Sequence, residues 1–341
     1  MTRKAESKSG WPAKAARVGE LLPLGRLHPA VLAWAQQRRR SDVWSVAFSG
    51  GADSLALLLL LWAHWPERRE RLVALHFNHR LRGRASGADE NFCRQVCAAL
   101  GIRLQVGAWA GSHPDASEAE ARAARHEFFT KEMKSLRSRA LWLAHQQDDI
   151  AETMLMRLAR GSGLGGLAAP RPVQPALGGR LHLRPLLTLK KRELVAALRQ
   201  AGARWREDLS NEGNAYLRNR IRRSVLPAWM QTAGRDALAG AALSRELLEE
   251  DEQALDLWTE VVAPLDRAGR LNLHGLNGMP RAIVRRALHR WLLARQPRTD
   301  LSRQGFELLL QAIEHNKPTR FSLGRNGFAV IKDGRLVFVK I

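Results

Sequence analysis

Between Val43 and about Gly161 the chain alternates short apolar runs with stretches of helical periodicity. The apolar runs are Val43–Ser49, Leu72–His79, Arg103–Trp109 and Ala140–Gln146; the helical periods are Asp53–His64, Ala88–Leu100, Ser117–Leu136 and Asp148–Arg160. Strands alternating with helices predict a parallel sheet covered on both faces. Right-handed crossovers put the carboxyl ends of those strands along one edge. The polar clusters fall at these ends: Ser49–Ser54, His76–Arg82, and His145 with Gln146, Gln147, Asp148 and Asp149. Ligands of open α/β sheets bind at that edge.

Past Gly161 the pattern changes. Gly161–Arg180, rich in glycine and proline, predicts a loop, and a helix is expected over Lys190–Ala201. A mostly helical stretch begins at Gly234–Val262 and continues through Pro280–Arg295 and Ser302–Asn316. The tail from Thr319 alternates apolar and polar residues around Asn326-Gly327 and Asp333-Gly334, two hairpin signals that predict a small antiparallel ribbon. The expected organisation is a basic extension over residues 1–40, its first part a disordered tail. A Rossmann-like parallel α/β domain follows over 41–228, and a mainly helical domain ending in the ribbon over 229–341.

Charge narrows the partners. The chain has 341 residues, with 55 Lys and Arg against 33 Asp and Glu, a net charge of +22. A chain this basic favours an anionic partner, nucleic acid first and an anionic membrane surface second. The longest apolar run, Leu55–Ala63, is far short of the ~20 residues of a membrane span. The two cysteines, Cys93 and Cys97, sit one helical turn apart, exclude a disulfide framework and fit a reducing cytosol.

Four stretches carry candidate chemistry. In SGGADS, Gly50 and Gly51 let backbone N–H groups approach an anion at a helix start, and Ser49 and Ser54 add hydroxyls. Asp53 suits a magnesium ion beside phosphate better than phosphate itself. The motif lacks the lysine of a Walker loop, and an ordinary strand-to-helix turn is the alternative. In DDIAET, Asp149 and Glu152 share a helix face and Asp148 stands where an N-cap would be; the alternative is a capped helix with solvated acids. In EAEARAARHEFF, Arg122 and Arg125 share a face suited to phosphate, or to pairing with Glu118 or Glu120. In YLRNRIRR, Arg218, Arg220, Arg222 and Arg223 crowd two turns around Asn219 and point to nucleic acid, with internal pairing to Asp208 or Glu212 the alternative. His76, His79 and His145 are expected in structural hydrogen bonds, and the cysteines as buried apolar residues.

SGGADS resembles the pyrophosphatase loop of the N-type ATP pyrophosphatases. With HFNHRLRG, EAEARAARHEFF, AHQQDDIAETMLMRLARGSGLGGL, RPLL and WREDLSNEGNAYLRNRIRRSVLP, the chain resembles the tRNA(Ile)-lysidine synthases, closely from Val43 to Pro227 and loosely beyond. The resemblance implies a cytoplasmic ligase that uses ATP and Mg2+ to adenylate the C2 oxygen of the wobble cytidine of a CAU-anticodon tRNA(Ile). Free L-lysine then displaces AMP. By motif position, Ser49, Gly50, Gly51, Ala52, Asp53, Ser54 and Arg122 would bind ATP, and Asp53 and Asp149 magnesium. Asp53, Asp149 and Glu152 would carry catalysis, with Glu152 contacting the cytosine or assisting proton removal. Arg125, Arg218, Asn219 and Arg222 would bind tRNA. The resemblance leaves a homodimer open, implies no membrane, and leaves no room for the further C-terminal β domain of some members. Gln146 stands where the family usually has a second histidine, and His126 where it has tyrosine. The rival readings are a tRNA-thiolating enzyme of the same superfamily, which would need reactive cysteines or an iron–sulfur cluster, and a catalytically silent RNA-binding protein.

Overall fold

The computed structural model describes residues 10–80, 84–113, 116–207, 217–294 and 301–340. The chain divides into two compact units, Met1–Glu246 and Leu247–Ile341. The division falls eighteen residues after the expected boundary, inside a long helix.

In the first unit the helices α1 (Gly10–Leu21) and α2 (Pro29–Gln36) precede the sheet. The sheet is built from β1 (Trp44–Ala47), α3 (Ala52–His64), β2 (Leu72–Asn78), α4 (Arg84–Leu100), β3 (Arg103–Ala108), α5 (Glu118–Ser135), β4 (Ala140–Trp142) and α6 (Gln147–Leu158). A short α7 (Leu164–Leu167), β5 (Val173–Ala176), β6 (Arg180–Leu183) and α8 (Lys191–Gln200) follow. The six strands run in the order β3-β2-β1-β4-β6-β5. All neighbours pair in parallel except β5, which turns back on β6 as an antiparallel edge.

Two expectations change here. The stretch expected to be a glycine- and proline-rich loop contains the β5–β6 hairpin, whose turn places Gly178 and Gly179 at positive φ (71° and 68°). The basic N-terminal region is helical from Gly10. Ala15, Val18, Val31 and Ala35 are buried in the main core with Trp44, Leu55–Leu61 and Trp142. The helices are tied in by apolar side chains spaced along one face, which the density of basic residues obscures in sequence. α3 is buried all along Leu55–Leu61, covered by α1 and α8, which explains an apolar run with no polar face.

The first unit continues through α9 (Leu217–Arg220), a π-helical turn (Ile221–Val225) and α10 (Leu226–Thr232) into the first turns of α11 (Ala237–Val262). The second unit holds the rest of α11, β7 (Leu271–Asn272), α12 (Arg281–Leu293), α13 (Arg303–Glu314), β8 (Thr319–Ser322), β9 (Gly327–Lys332) and β10 (Arg335–Lys340). Its antiparallel sheet has the order β7-β10-β9-β8. Its core gathers Leu271, Ile283, Leu288, Trp291, Leu309, Ile331 and Leu336. Asp333 and Gly334 both take positive φ (52° and 67°), as a two-residue hairpin turn requires. Among the described residues, no helix is long and apolar enough to cross a membrane.

Candidate active site

The carboxyl edge of the parallel sheet brings together the glycine loop after β1, the start of α6 after β4, and the arginines of α9 and the π turn. Ser49 begins the loop and Gly51 is the N-cap of α3. Gly50 has φ +88°, and a Cβ there would stand 3.2 Å from both Phe92 Cδ1 and Cys93 Sγ. Gly51 would meet only ordinary contacts, so Gly50 is the position at which the backbone demands glycine. The hydroxyls pin the loop: the Ser49 N–H donates to Ser54 Oγ at 3.2 Å, and Ser54 Oγ donates to the Gly51 carbonyl at 3.0 Å. α3 therefore starts beneath this loop with its N–H groups and positive dipole end toward the edge.

Asp53 lies in the first turn of α3. Its buried Oδ1 has no hydrogen-bond partner among the described residues. Burial pushes its carboxyl up to about 6; Lys191 and Arg222 oppose the shift, and the Asp149 and Asp148 carboxylates add to it.

α6 starts one residue earlier than expected. Gln146, not Asp148, is its N-cap: Gln146 Oε1 accepts from the Asp148 N–H at 2.6 Å, and the Gln146 N–H donates to Asp149 Oδ2 at 2.9 Å. Gln146, which stands where the resemblance implies a second histidine, thus does local capping work. Asp148 instead accepts from the Lys191 N–H at 3.0 Å.

Asp149 and Glu152 do share a face, and they are buried rather than solvated, Glu152 completely. Arg218 donates from Nε to Glu152 Oε2 at 2.7 Å and from an Nη to Asp149 Oδ1 at 2.5 Å. Arg222, one turn on, donates to Glu152 Oε1 at 2.6 Å and Oε2 at 3.0 Å. Burial pulls both guanidinium pKa values down, but Asp149 and Glu152 outweigh it and leave them raised. The two arginines are therefore internally paired to the α6 acids; Asp208 and Glu212 lie outside the described residues, as does Arg82. Asn219 is buried beside them, while Arg220 and Arg223 are exposed.

A second basic group surrounds the end of β4. Arg184, just after β6, is buried; its Nε donates to His145 Nδ1 at 3.2 Å and an Nη donates to the Arg171 carbonyl at 2.7 Å. Burial, with Arg122 nearby, lowers Arg184 to about 10. Burial and then Arg184 hold His145 well below the ordinary histidine range. Burial and the surrounding arginines also lower His126 and His182 to about 4, so these rings are neutral. Arg122 and Arg125 face this same group, since both bear on His126 and His145. Glu120 is not their partner: it closes the capping box of α5 with Ser117. Arg184 was not singled out in sequence, although it opens the RPLL run; its signal was a lone arginine at a strand end.

His76 makes the expected structural bond, Nδ1 to the Phe48 carbonyl at 3.0 Å. Cys93 and Cys97 are buried, and burial raises both thiols, Cys97 to about 12.

A family model described as PP-loop domain matches residues 29–229. The tRNA(Ile)-lysidine synthase of Pseudomonas syringae pv. tomato is 38% identical over 320 residues, covering 88% of this chain and 68% of the relative. That of Geobacter sulfurreducens is 38% identical over 280 residues, covering 79% and 58%. That of Bacillus subtilis is 32% identical over 288 residues, covering 81% and 57%. The chain thus spans between 57% and 68% of the lengths of these curated relatives. Among solved structures, the U34-tRNA thiolase NcsA from Methanococcus maripaludis aligns with a TM-score of 0.51 at 17% identity, over 69% of this chain and 78% of that one, which marks a shared fold.

Proposed function

Because the chain belongs to the tRNA(Ile)-lysidine synthase family of PP-loop proteins, we propose that it joins free lysine to C2 of the wobble cytidine of a CAU-anticodon tRNA(Ile), using ATP to adenylate that base. The observation that supports this most is the buried Asp149–Glu152–Arg218–Arg222 cluster set beside Asp53 and the glycine loop. A merely RNA-binding surface has no need to bury two carboxylates at a nucleotide-binding edge.

In this reading the N–H groups of the Ser49–Ser54 loop and the start of α3 receive the ATP phosphates. Arg122, with Arg184 behind it, adds positive charge near the end of β4. Magnesium fits Asp53, whose buried Oδ1 is orphaned, and Asp149 beside it would join once its oxygens are shared with, or released by, the Gln146 N–H and Arg218; magnesium beside phosphates needs only one or two carboxylates. Bound there, it would supply charge compensation for the pyrophosphate that departs. Asp53 is then held ionised, against its tendency to take a proton in the protein alone. Glu152 has both oxygens engaged by guanidiniums, so it orders Arg218 and Arg222. It accepts a proton from the lysine amine only once one of those bonds gives way.

Incubation with radiolabelled lysine, ATP and tRNA is expected to place label in the anticodon loop of tRNA(Ile), and none when ATP is withheld. Label absent under all conditions would overturn the reading. The thiolating alternative is disfavoured because both thiols are buried and strongly raised in pKa, leaving little thiolate to attack or to hold a cluster.

Arg220 and Arg223 are the exposed arginines of this segment and are proposed to meet tRNA phosphates first. The double variant Arg220→Ala with Arg223→Ala is expected to flatten the slope of log affinity against log salt by about one to two units, with ATP affinity unchanged. Replacing Arg218 and Arg222 instead is expected to lower the melting temperature. Equal salt slopes for wild type and the Arg220/Arg223 variant would remove this pair from the tRNA contact.

A further inference from the structure

We propose that Asp89 and Arg206 form a clamp that holds the glycine loop in its nucleotide-accepting shape, making Asp89 a positioning residue for ATP; this rests on the reading of Ser49–Ser54 as the ATP loop. The loop depends on Gly50 at φ +88°, a conformation its neighbours must maintain from outside. On one side, α4 presents Asp89, Phe92 and Cys93 along one face, the last two lying against Gly50. On the other side, the segment after α8 returns to the loop. There the Arg206 N–H donates to the Gly50 carbonyl at 2.9 Å. The Arg206 side chain then reaches across to α4 and donates from Nε to Asp89 Oδ1 at 2.7 Å. The aspartate end is the buried one, with 11% side-chain exposure against 41% for the arginine.

Two consequences follow for an anion. The Gly50 carbonyl is occupied by Arg206, so its negative end is tied to the protein and does not compete with phosphate oxygens. The loop is also gripped from two elements distant in sequence, so its N–H groups are ordered before ATP arrives and less ordering is left to binding. The clamp's bonds run to the Gly50 carbonyl and between Asp89 and Arg206, so its effect is expected on ATP affinity and not on the chemical step.

The test compares wild type with Asp89→Asn and Asp89→Glu, using direct ATP binding and tRNA-dependent ATP–pyrophosphate exchange. Asp89→Asn is expected to raise Kd and KM for ATP roughly three- to tenfold, the loss of one charge-assisted bond, with kcat at saturating ATP and tRNA affinity near wild type. Asp89→Glu is expected to restore most of the affinity. Unchanged ATP affinity in folded Asp89→Asn would overturn the clamp, and so would a fall in kcat at unchanged KM, which is the signature of a merely structural role. If Asp89→Asn does not fold, Arg206→Ala, at the exposed end of the pair, is held to the same outcomes. A wild-type protein that does not bind ATP would overturn the nucleotide reading and the clamp together. Wild-type binding with an unaffected variant overturns the clamp alone.

Discussion

Asp53→Asn is expected to melt at a higher temperature than the wild-type protein without nucleotide, and to lose adenylation. The carboxyl is raised from 3.8 to about 6, first by burial and then by the nearby Asp149 and Asp148 carboxylates, against Lys191 and Arg222. The folded state therefore binds this proton more tightly than the unfolded chain does. The stability linked to that proton is fully present below about pH 4 and is lost as pH rises through about 6. Near pH 7.5 the ionised group costs the fold ~3 kcal/mol, which asparagine avoids. The same substitution removes the charge that would meet magnesium, and a loss of about a hundredfold or more in ATP–pyrophosphate exchange is expected. Melting curves at about pH 4 and pH 7.5 check the first part: the two proteins should converge at the lower pH and separate at the higher. An Asp53→Asn protein that melts no higher at pH 7.5, or that exchanges at the wild-type rate, would contradict this account.

Glu152→Gln is expected to cost both stability and activity. Two carboxylates and two guanidiniums balance in this cluster, and Glu152 accepts from both arginines. Glutamine keeps the volume but leaves one largely buried positive charge uncompensated, a loss of about 3–5 kcal/mol. Pairing the change with Arg222→Gln restores neutrality and should recover much of the stability while leaving adenylation absent. Chemical denaturation of the two variants and wild type, with exchange assays in parallel, measures both. If the double variant is no more stable than Glu152→Gln alone, the cost lies in packing and not in charge.

Much of this site was legible in the chain because its parts are local. The glycine turn, the shared face of Asp149 and Glu152, and the Asp333-Gly334 turn are set by spacing and backbone chemistry over a few residues. What escaped depends on distant segments. The pairing of Arg218 and Arg222 with α6 joins residues more than sixty positions apart. The grouping of Arg184 with His145 needs β6 to lie beside β4. The β5–β6 hairpin was masked by turn-forming residues, and α1 and α2 by their basic composition. The N-cap moved to Gln146 because a glutamine can cap only when its side chain folds back on its own turn, which sequence alone does not disclose.

The strand order carries a consequence for synthesis. β1 is central, paired on one side with β2 and on the other with β4. As the chain is made from its amino terminus, β2 follows β1 closely, but Ala140–Trp142 arrives only after α4, β3 and α5 have all been translated. Until then one edge of β1 stays open, beside a helix whose Leu55–Leu61 run is wholly buried in the finished protein and whose cover by α8 comes later still. From the synthesis of β1 until that of β4 the nascent chain thus carries its most apolar helix next to a strand with one edge open. An open strand edge beside exposed apolar surface is the aggregation-prone part of the growing chain, and it lies in the residues that later support the glycine loop.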